Sequence, residues 1–560
     1  MSNPAATATD AVIKPDRIAA LRSVLPADLS HSPLLGIAAV VMGAGTSSLA
    51  ARLLSLGLAD LRGHLGISVD QGAWISTAFN ASTMFIGPLT VYLGALLGAR
   101  RVLLVCSVVF AIVSACLPFA HSYPVLIVLL AIAGLSSGTF YPLTISFALL
   151  NIPLRYLALT LGVYATAIEG ALNFAPSLYG FYLNHLSWTW MFWTSAVITP
   201  LVTACAYFGI PAPRRPQASG PKPSFAGFLY FSAGIALVFA ALDQGQRLDW
   251  WRSGVFTALF ASGAFLLSCA IVRRMRAANP LVDLPYLRKW NTIVLALGLF
   301  SFRFVLLATA FVIPQSLSIR GLDATQFAPA VLWTAVPEMF LAVFAAYLLT
   351  RGLDSRLLMA LGFATIGTAC VVNAGFTSAW AAENYFRTEL LMAAGQSFAF
   401  VGLVSTLVLQ AFFSGGLDSP YRVLTFSAFL HGVRIFGGQV GTTLMVRFIA
   451  EQERMHSYLA GLHVQHGSWI AEHTVRLLSA GLASRSSGPV DAAGRAVGVV
   501  AGSVRLQAYA LTFVDAFHLL AWVSVAMLIL LATLRRFPSN FRDLAALDTG
   551  APPARTSGMS

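Results

Sequence analysis

Five ionisable side chains stand near the middle of long apolar runs: Glu169, Arg303, Glu338, His431 and Arg434. A charge at the centre of a bilayer costs at least ~2.5 kcal/mol on insertion scales, so each is a candidate for function. The two carboxylates suit proton coupling, because burial disfavours their charged form and brings titration towards neutral pH. An arginine stays charged and cannot take that part. Arg303, Arg434 and His431 are therefore candidate substrate contacts, or ties between helices; Gly437, Gly438 and Gly441 beside Arg434 permit close helix approach. Arg303 and Glu338 fall on consecutive runs and could neutralise each other. That would hold Glu338 ionised and make Glu169 the stronger coupling candidate. Its structural alternative is a hydrogen bond to a neighbouring helix. Arg52, Arg387, Glu389, Asp515 and His518 lie nearer one end of their runs, where snorkelling to water is cheap.

Other chemistry is thin. His456, His463, His466 and His473 share one polar segment, but Gly467 interrupts it and no cysteine or paired carboxylate completes a zinc shell. Cys106, Cys116, Cys205, Cys269 and Cys370 sit singly in apolar surroundings, as small packing residues do. The chain carries no P-loop, no H-E-x-x-H and no G-x-S-x-G, so neither ATP hydrolysis nor an embedded hydrolase is expected. No metal, no cofactor and no enzyme activity are implied.

The elements that must position these groups are membrane helices. Of 560 residues, 57% are hydrophobic and 10% charged, with a mean hydropathy of +0.76. Soluble domains carry about 25% charge and disordered chains more, so both classes are excluded. Apolar runs begin near Leu34, Gly72, Val102, Pro124, Tyr156, Trp188, Phe225, Val255, Thr292, Gln326, Leu357, Phe386, Val423 and Ala508. Each is about 18–28 residues long, enough to cross ~30 Å of hydrocarbon. The reading is an all-α integral membrane protein with fourteen spans. With the N-terminus in the cytoplasm, twenty-one lysines and arginines fall on the inner side and ten on the outer, six of those ten in one long loop. The positive-inside rule then places both termini in the cytoplasm and the net charge of +13 at a membrane, not on nucleic acid. Residues 1–33 read as a polar cytoplasmic tail without a signal peptide. Residues 34–210 form a first six-helix bundle and 211–224 a Pro- and Arg-rich cytoplasmic linker. Spans 7 and 8 with a basic connection occupy 225–290, a second bundle 291–537, and a cytoplasmic tail 538–560. The segment 450–505 reads as an outer loop with short amphipathic helices.

Three segments resemble signatures of one transporter branch. Leu242-Asp243-Gln244-Gly245 leading to Asp249-Trp250 is similar to L-D-x-G-x-x-x-D-W. Asn279-Pro280-Leu281-Val282-Asp283-Leu284 is similar to N-P-[IL]-[IV]-D-L, and Arg434 through Gly441 to R-x-x-G-G-x-x-G. With Leu353-Asp354-Ser355-Arg356 and the long outer loop, the chain resembles the fourteen-helix drug:proton antiporters of the major facilitator superfamily, the EmrB/QacA type. The resemblance implies the major facilitator fold: two six-helix bundles, a central cavity and two inserted helices. It implies gating-loop roles for Gly98, Arg100, Arg101, Asp354 and Arg356, and structural roles for Gly134, Pro142, Gly170, Pro176, Gly437 and Gly441. Tyr164, Phe174 and Trp333 then fall on cavity-lining spans, where aromatic faces suit amphipathic organic molecules. Carboxylates there favour lipophilic cations; Arg303 and Arg434 favour organic acids.

The departures concern coupling. Ala95 and Leu96 replace the acid and base of the span 2–3 loop, Leu130 and Ala133 the arginine and glutamine of span 4, and Ala50 the span-1 aspartate. The expected function is proton-gradient-driven export of small amphipathic compounds, drugs or metabolites, by alternating access. The substrate and protons are its partners, in the lipid bilayer of the inner membrane. In a Gram-negative cell the resemblance adds a periplasmic adaptor protein. Two alternatives stand: a non-transporting membrane sensor or assembly partner with degenerate coupling residues, and an organic-acid uptake symporter.

Overall fold

The computed structural model describes residues 33–152, 154–210, 225–275, 289–413, 417, 420–465, 467–535 and 540–541. The tail 1–32, the linker 211–224, the motif Asn279–Leu284, His466 and most of the tail 538–560 lie outside the described residues. Within them the chain is helical, with no strand. Lipid offers no partner to backbone amides, and a helix satisfies them within one segment.

Thirteen helices are long and apolar enough to cross a membrane. Spans 1 to 6 are Leu34–Leu56, Val69–Leu97, Ala99–Phe119, Tyr123–Asn151, Tyr156–His185 and Trp190–Gly209. Spans 7 and 8 are Phe225–Gly245 and Gly254–Arg273; spans 9 to 12 are Trp290–Ser318, Ala324–Thr350, Ser355–Asn373 and Ala382–Phe413. The thirteenth lies within Pro489–Ala532 and is numbered span 14; the helix Pro420–Gly461, numbered span 13, is not one of the thirteen.

Two apolar cores form. One collects the first six spans, and the other the second half together with the inner faces of spans 4 and 5. The halves meet where span 5 packs along span 10 and span 2 along span 13. Spans 7 and 8 pack on each other, and span 7 on spans 2 and 13.

Small residues set these approaches. A Cβ on Gly134 would fall 2.2 Å from the Phe79 carbonyl oxygen, so spans 2 and 4 touch backbone to backbone there. On span 5, the tight contact with span 10 is at Gly162, against Ala346; Gly170 has ordinary room beside Met339. Gly437 and Gly441 rest on Phe300 and Phe304 of span 9.

Two spans are discontinuous. Span 4 breaks between the helices Tyr123–Ser137 and Phe140–Asn151. Pro142 falls in the first turn of the second piece, where its missing N–H leaves no bond unmade. Span 9 runs as Trp290–Val305, then a π-helical turn at Ala308–Val312, then Ile313–Ser318. Such turns concentrate at functional sites.

The segment 450–505 departs from the expected loop of short helices. Span 13 continues without a break to Gly461, and the span-14 helix begins at Pro489 instead of near Ala508. Only Trp469–Leu482 is a separate short helix. No proline interrupts either long helix beyond its first residue, and pairs such as Arg447–Glu451 and Arg495–Asp491 support their polar stretches one turn apart.

Candidate functional site

Span 5 supplies the centre. Glu169 and Asn173 lie one turn apart on it, hence on one face, and both are buried against the second half. Arg303 Nη1 of span 9 donates to both Glu169 carboxylate oxygens, at 3.2 and 3.3 Å. Asn173 Nδ2 donates to Glu338 Oε2 of span 10 at 2.7 Å and to Gln396 Oε1 of span 12 at 3.0 Å. Arg303 therefore pairs with Glu169 and not with Glu338, correcting the expectation drawn from consecutive spans. Neighbours in sequence were the wrong guide, because span 5 packs along span 10 and the long Arg303 side chain reaches Glu169 from span 9.

From Gln396 the polar contacts continue. Its Nε2 donates to Thr309 Oγ1 at 3.1 Å, and Thr309 donates to Glu389 Oε1 at 3.3 Å. Thr334 donates to Glu389 Oε2 at 2.5 Å. Thr309 sits in the π-helical turn, which brings its hydroxyl between spans 10 and 12. Glu338, Asn173, Gln396, Thr309, Glu389 and Thr334 are all 1% exposed or less. Glu389 is thus no snorkelling residue; its depth is set by the hydroxyls of Thr309 and Thr334. The partners described for Glu338 and Glu389 are neutral amides and hydroxyls, whereas Glu169 has a guanidinium. A buried charge normally requires a counter-charge or several donors.

Across from the carboxylates lies a basic and aromatic group. The Arg434 guanidinium stands 4.6 Å from the Tyr141 ring centroid, and His431 stacks on the same ring at 4.9 Å. Tyr164 closes the group, its hydroxyl donating to the Tyr141 carbonyl at 3.2 Å. Arg52 of span 1 donates from Nη2 to the Ala310 carbonyl in the π-helical turn at 2.6 Å. Phe174 and Trp333 do not join either cluster. They are 41% and 47% exposed and stand about 140° around their helices from Glu169 and Glu338, at 100° per residue. Trp333 stacks instead on Phe386.

The signature segments find partners in each other. Asp243, at the end of span 7, accepts from Thr77 of span 2 and, at 2.9 Å, from Gln439 Nε2 of span 13. The span-7 and span-13 motifs are therefore in direct contact. Asp249 and Trp250 adopt left-handed backbone, turning the chain into span 8. At the loops, Gly98 and Gly352 have φ of 89° and 98°, conformations that favour glycine. Arg100 Nη2 donates to the Tyr207 carbonyl at 2.6 Å, in the last turn of span 6, and Arg101 is exposed. Asp354 caps span 11 through the Arg356 amide at 2.8 Å and pairs with the Arg356 side chain at 3.1 Å. His456 pairs with Asp515 at 2.7 Å, and among the described residues no group of His, Cys, Asp or Glu forms a metal cage.

Sequence reasoning missed Asn173, Gln396, Thr309, Thr334 and Asp243 as site residues. A signal existed for several: Glu169 and Asn173, and Thr334 and Glu338, are polar pairs at one-turn spacing within apolar spans.

Comparison with known proteins agrees with this architecture. The Major Facilitator Superfamily model matches residues 35–430. The fatty acid resistance protein FarB of Neisseria gonorrhoeae is 24% identical over 425 residues, covering 75% of this chain and 81% of that protein. The multidrug export protein EmrB of Escherichia coli (strain K12) is 25% identical over 445 residues, covering 76% and 83%. The colistin resistance protein EmrB of Acinetobacter baumannii is 22% identical over 495 residues, covering 86% and 93%. Among solved structures, the human organic anion transporter MFSD10 superposes with a TM-score of 0.55 at 14% identity, covering 89% of this chain and 99% of that one. The proton:xylose symporter XylE gives 0.53 at 12%, covering 94% and 100%. A family match over most of the chain, with helical architecture and signature contacts to agree, makes this protein a member of the Major Facilitator Superfamily, of the EmrB/QacA type.

Proposed function

We propose that the protein exports small amphipathic organic compounds, exchanging them for protons by alternating access of two six-helix bundles. The observation that carries this reading is the placement of Glu338, buried in the second half with Asn173 of the first half as its donor. An ionised Glu338 accepts a charge-assisted bond, roughly twice as strong as a neutral one, so it ties span 5 to span 10. Protonation weakens that tie and frees the halves to rock. Asn173 and Gln396 must keep their amide protons, so the contacts transmit a charge state between Glu338 and Glu389 and do not conduct protons. Glu169, engaged by Arg303, ranks behind Glu338 as the coupling group, reversing the order expected from sequence.

The names of the relatives, which speak of multidrug export and of fatty acid and colistin resistance, support efflux as the direction. Charge bias supports cytoplasmic termini in an inner membrane, and the helical segment 450–505 suits contact with a periplasmic adaptor protein. Gly98, Arg100, Arg101, Asp354 and Arg356 take the part of inner gating loops, and Tyr164 that of a wall behind the basic group. The test uses purified protein in vesicles under an imposed pH gradient. Outward-equivalent movement of a lipophilic dye against the proton flow is expected, with Glu338→Gln retaining dye binding and losing its pH dependence. Silence across a broad compound panel would point to a non-transporting membrane protein, and movement of substrate together with protons to an uptake symporter.

A further inference from the structure

Three arginines reach the protein interior from spans 1, 9 and 13, and only Arg303 has a carboxylate partner among the described residues. Arg303 is paired with Glu169, Arg434 lies over the Tyr141 ring, and Arg52 reaches a backbone carbonyl. Glu338 and Glu389, by contrast, have neutral amides and hydroxyls as their described side-chain partners. The interior is thus divided into a positive region on spans 1, 9 and 13 and an acidic region on spans 10 and 12, with Glu169 bridging them.

The positive region holds donors with nothing to donate to. The Nε atoms of Arg52, Arg303 and Arg434 are buried without a hydrogen-bond partner, and the two ring nitrogens of His431, of which a neutral ring offers one as donor, also lack one. Arg434 is 6% exposed and His431 1%. Buried, unsatisfied donors carry a desolvation penalty that an incoming acceptor removes. Gly438 lies against Arg303, where a Cβ would stand 3.4 Å from the guanidinium, so spans 9 and 13 meet beside these donors. Tyr141 and Tyr164 add aromatic surface against the same groups. Guanidinium forks match planar carboxylates, and aromatic faces take an apolar body.

We propose that this region is the substrate site and that it selects amphipathic organic monocarboxylates, with Glu169 as a built-in counter-anion that the substrate carboxylate displaces from Arg303. The inference rests on the transporter reading for its physiological meaning, and on the arginines alone for binding. A lipophilic cation meets like charge there and is rejected.

The experiment is calorimetric titration of the full chain in lipid nanodiscs with two probes of equal shape, naphthalene-2-carboxylate and naphthalene-2-methylammonium. The carboxylate is expected to bind at least tenfold more tightly. Arg434→Gln should weaken it tenfold or more, and Arg434→Lys should restore part of that. Glu169→Gln should instead tighten carboxylate binding several-fold, a gain that misfolding cannot imitate. If Arg434→Gln does not fold, Arg52→Gln provides the same reading. Equal or tighter ammonium binding, no measurable carboxylate binding, or an Arg434→Gln affinity within twofold of the parent overturns the proposal. Selective carboxylate binding without gradient-driven flux would leave it standing and remove the exporter reading; flux of cations with no carboxylate binding would do the reverse.

Discussion

Glu169 and Glu338 are chemically identical and almost equally buried, yet their neighbours give them different tasks. Glu169 has a guanidinium at 3.2 Å; the described side-chain partner of Glu338 is a neutral amide at 2.7 Å. Hydrogen bonds to charged groups contribute about 1.5–3 kcal/mol and neutral ones about 1 kcal/mol, so the amide variants should differ. Glu169→Gln is expected to lower the thermal unfolding midpoint in detergent, by about 1 kcal/mol of stability, while Glu338→Gln, which mimics the protonated carboxyl, leaves it near that of the parent in acid, where Glu338 is protonated. Equal losses in both variants would contradict the assignment of roles. The depth of each carboxylate was legible in the sequence as an acid within an apolar run. Its partner was not, because pairing depends on which helices pack together at that depth. Asp243 shows the same limit: the motif marked it, and only packing reveals Gln439 and Thr77 as its donors.

At the scale of elements, the number and placement of the spans could be read from length and hydropathy, since a bilayer imposes both. The interruptions have local signals that the span count does not weigh, Pro142 after the break in span 4 and Pro314 after the turn in span 9. Pro314 has no amide to give the Ala310 carbonyl, and the π-helical turn before it carries Thr309 and that carbonyl into the site. Helix ends carry a second prediction. Asp323 caps span 10, accepting from the Thr325 hydroxyl at 2.6 Å and from the amides of Thr325 and Gln326. The Thr325 hydroxyl first, and then the two amides, hold its carboxyl below the usual value of 3.8. A depressed value means that the cap stabilises above that pH and is lost as the pH falls through the folded-state value. Asp323→Ala should cost about 1 kcal/mol at that helix end, read as about fivefold faster amide hydrogen exchange at Thr325 and Gln326 at neutral pH. The difference should vanish in strong acid; persistence there would show that the carboxylate is not responsible. A third prediction concerns the span 2–3 loop, where Arg100 has a carbonyl instead of an acid as its partner. Ala95→Asp should offer Arg100 a charge and shorten spin-label distances across that end of the bundle, whereas unchanged distances would remove the loop from gating.

For the whole molecule, topology is the property most open to test. Fourteen spans and the charge bias together predict that both termini lie on the cytoplasmic face. Single cysteines at Ser219 and Ser487 are expected to react with membrane-impermeant reagents from opposite sides of sealed vesicles. Labelling from the same side would break the fourteen-span arrangement. The extensions of spans 13 and 14 have a mechanical consequence. The helix Pro420–Gly461 is 42 residues long and Pro489–Ala532 is 44, so at 1.5 Å per residue each measures about 65 Å, roughly twice the hydrocarbon thickness. Both are unbroken and packed against each other. A pair of rods fixed at one end in a rocking body acts as a lever. With about 25 Å standing clear of the membrane, a tilt of 10° swings the free end by about 4 Å. The protein therefore carries its own pointer, and whatever lies beside its tip receives the state of the transport cycle as a displacement.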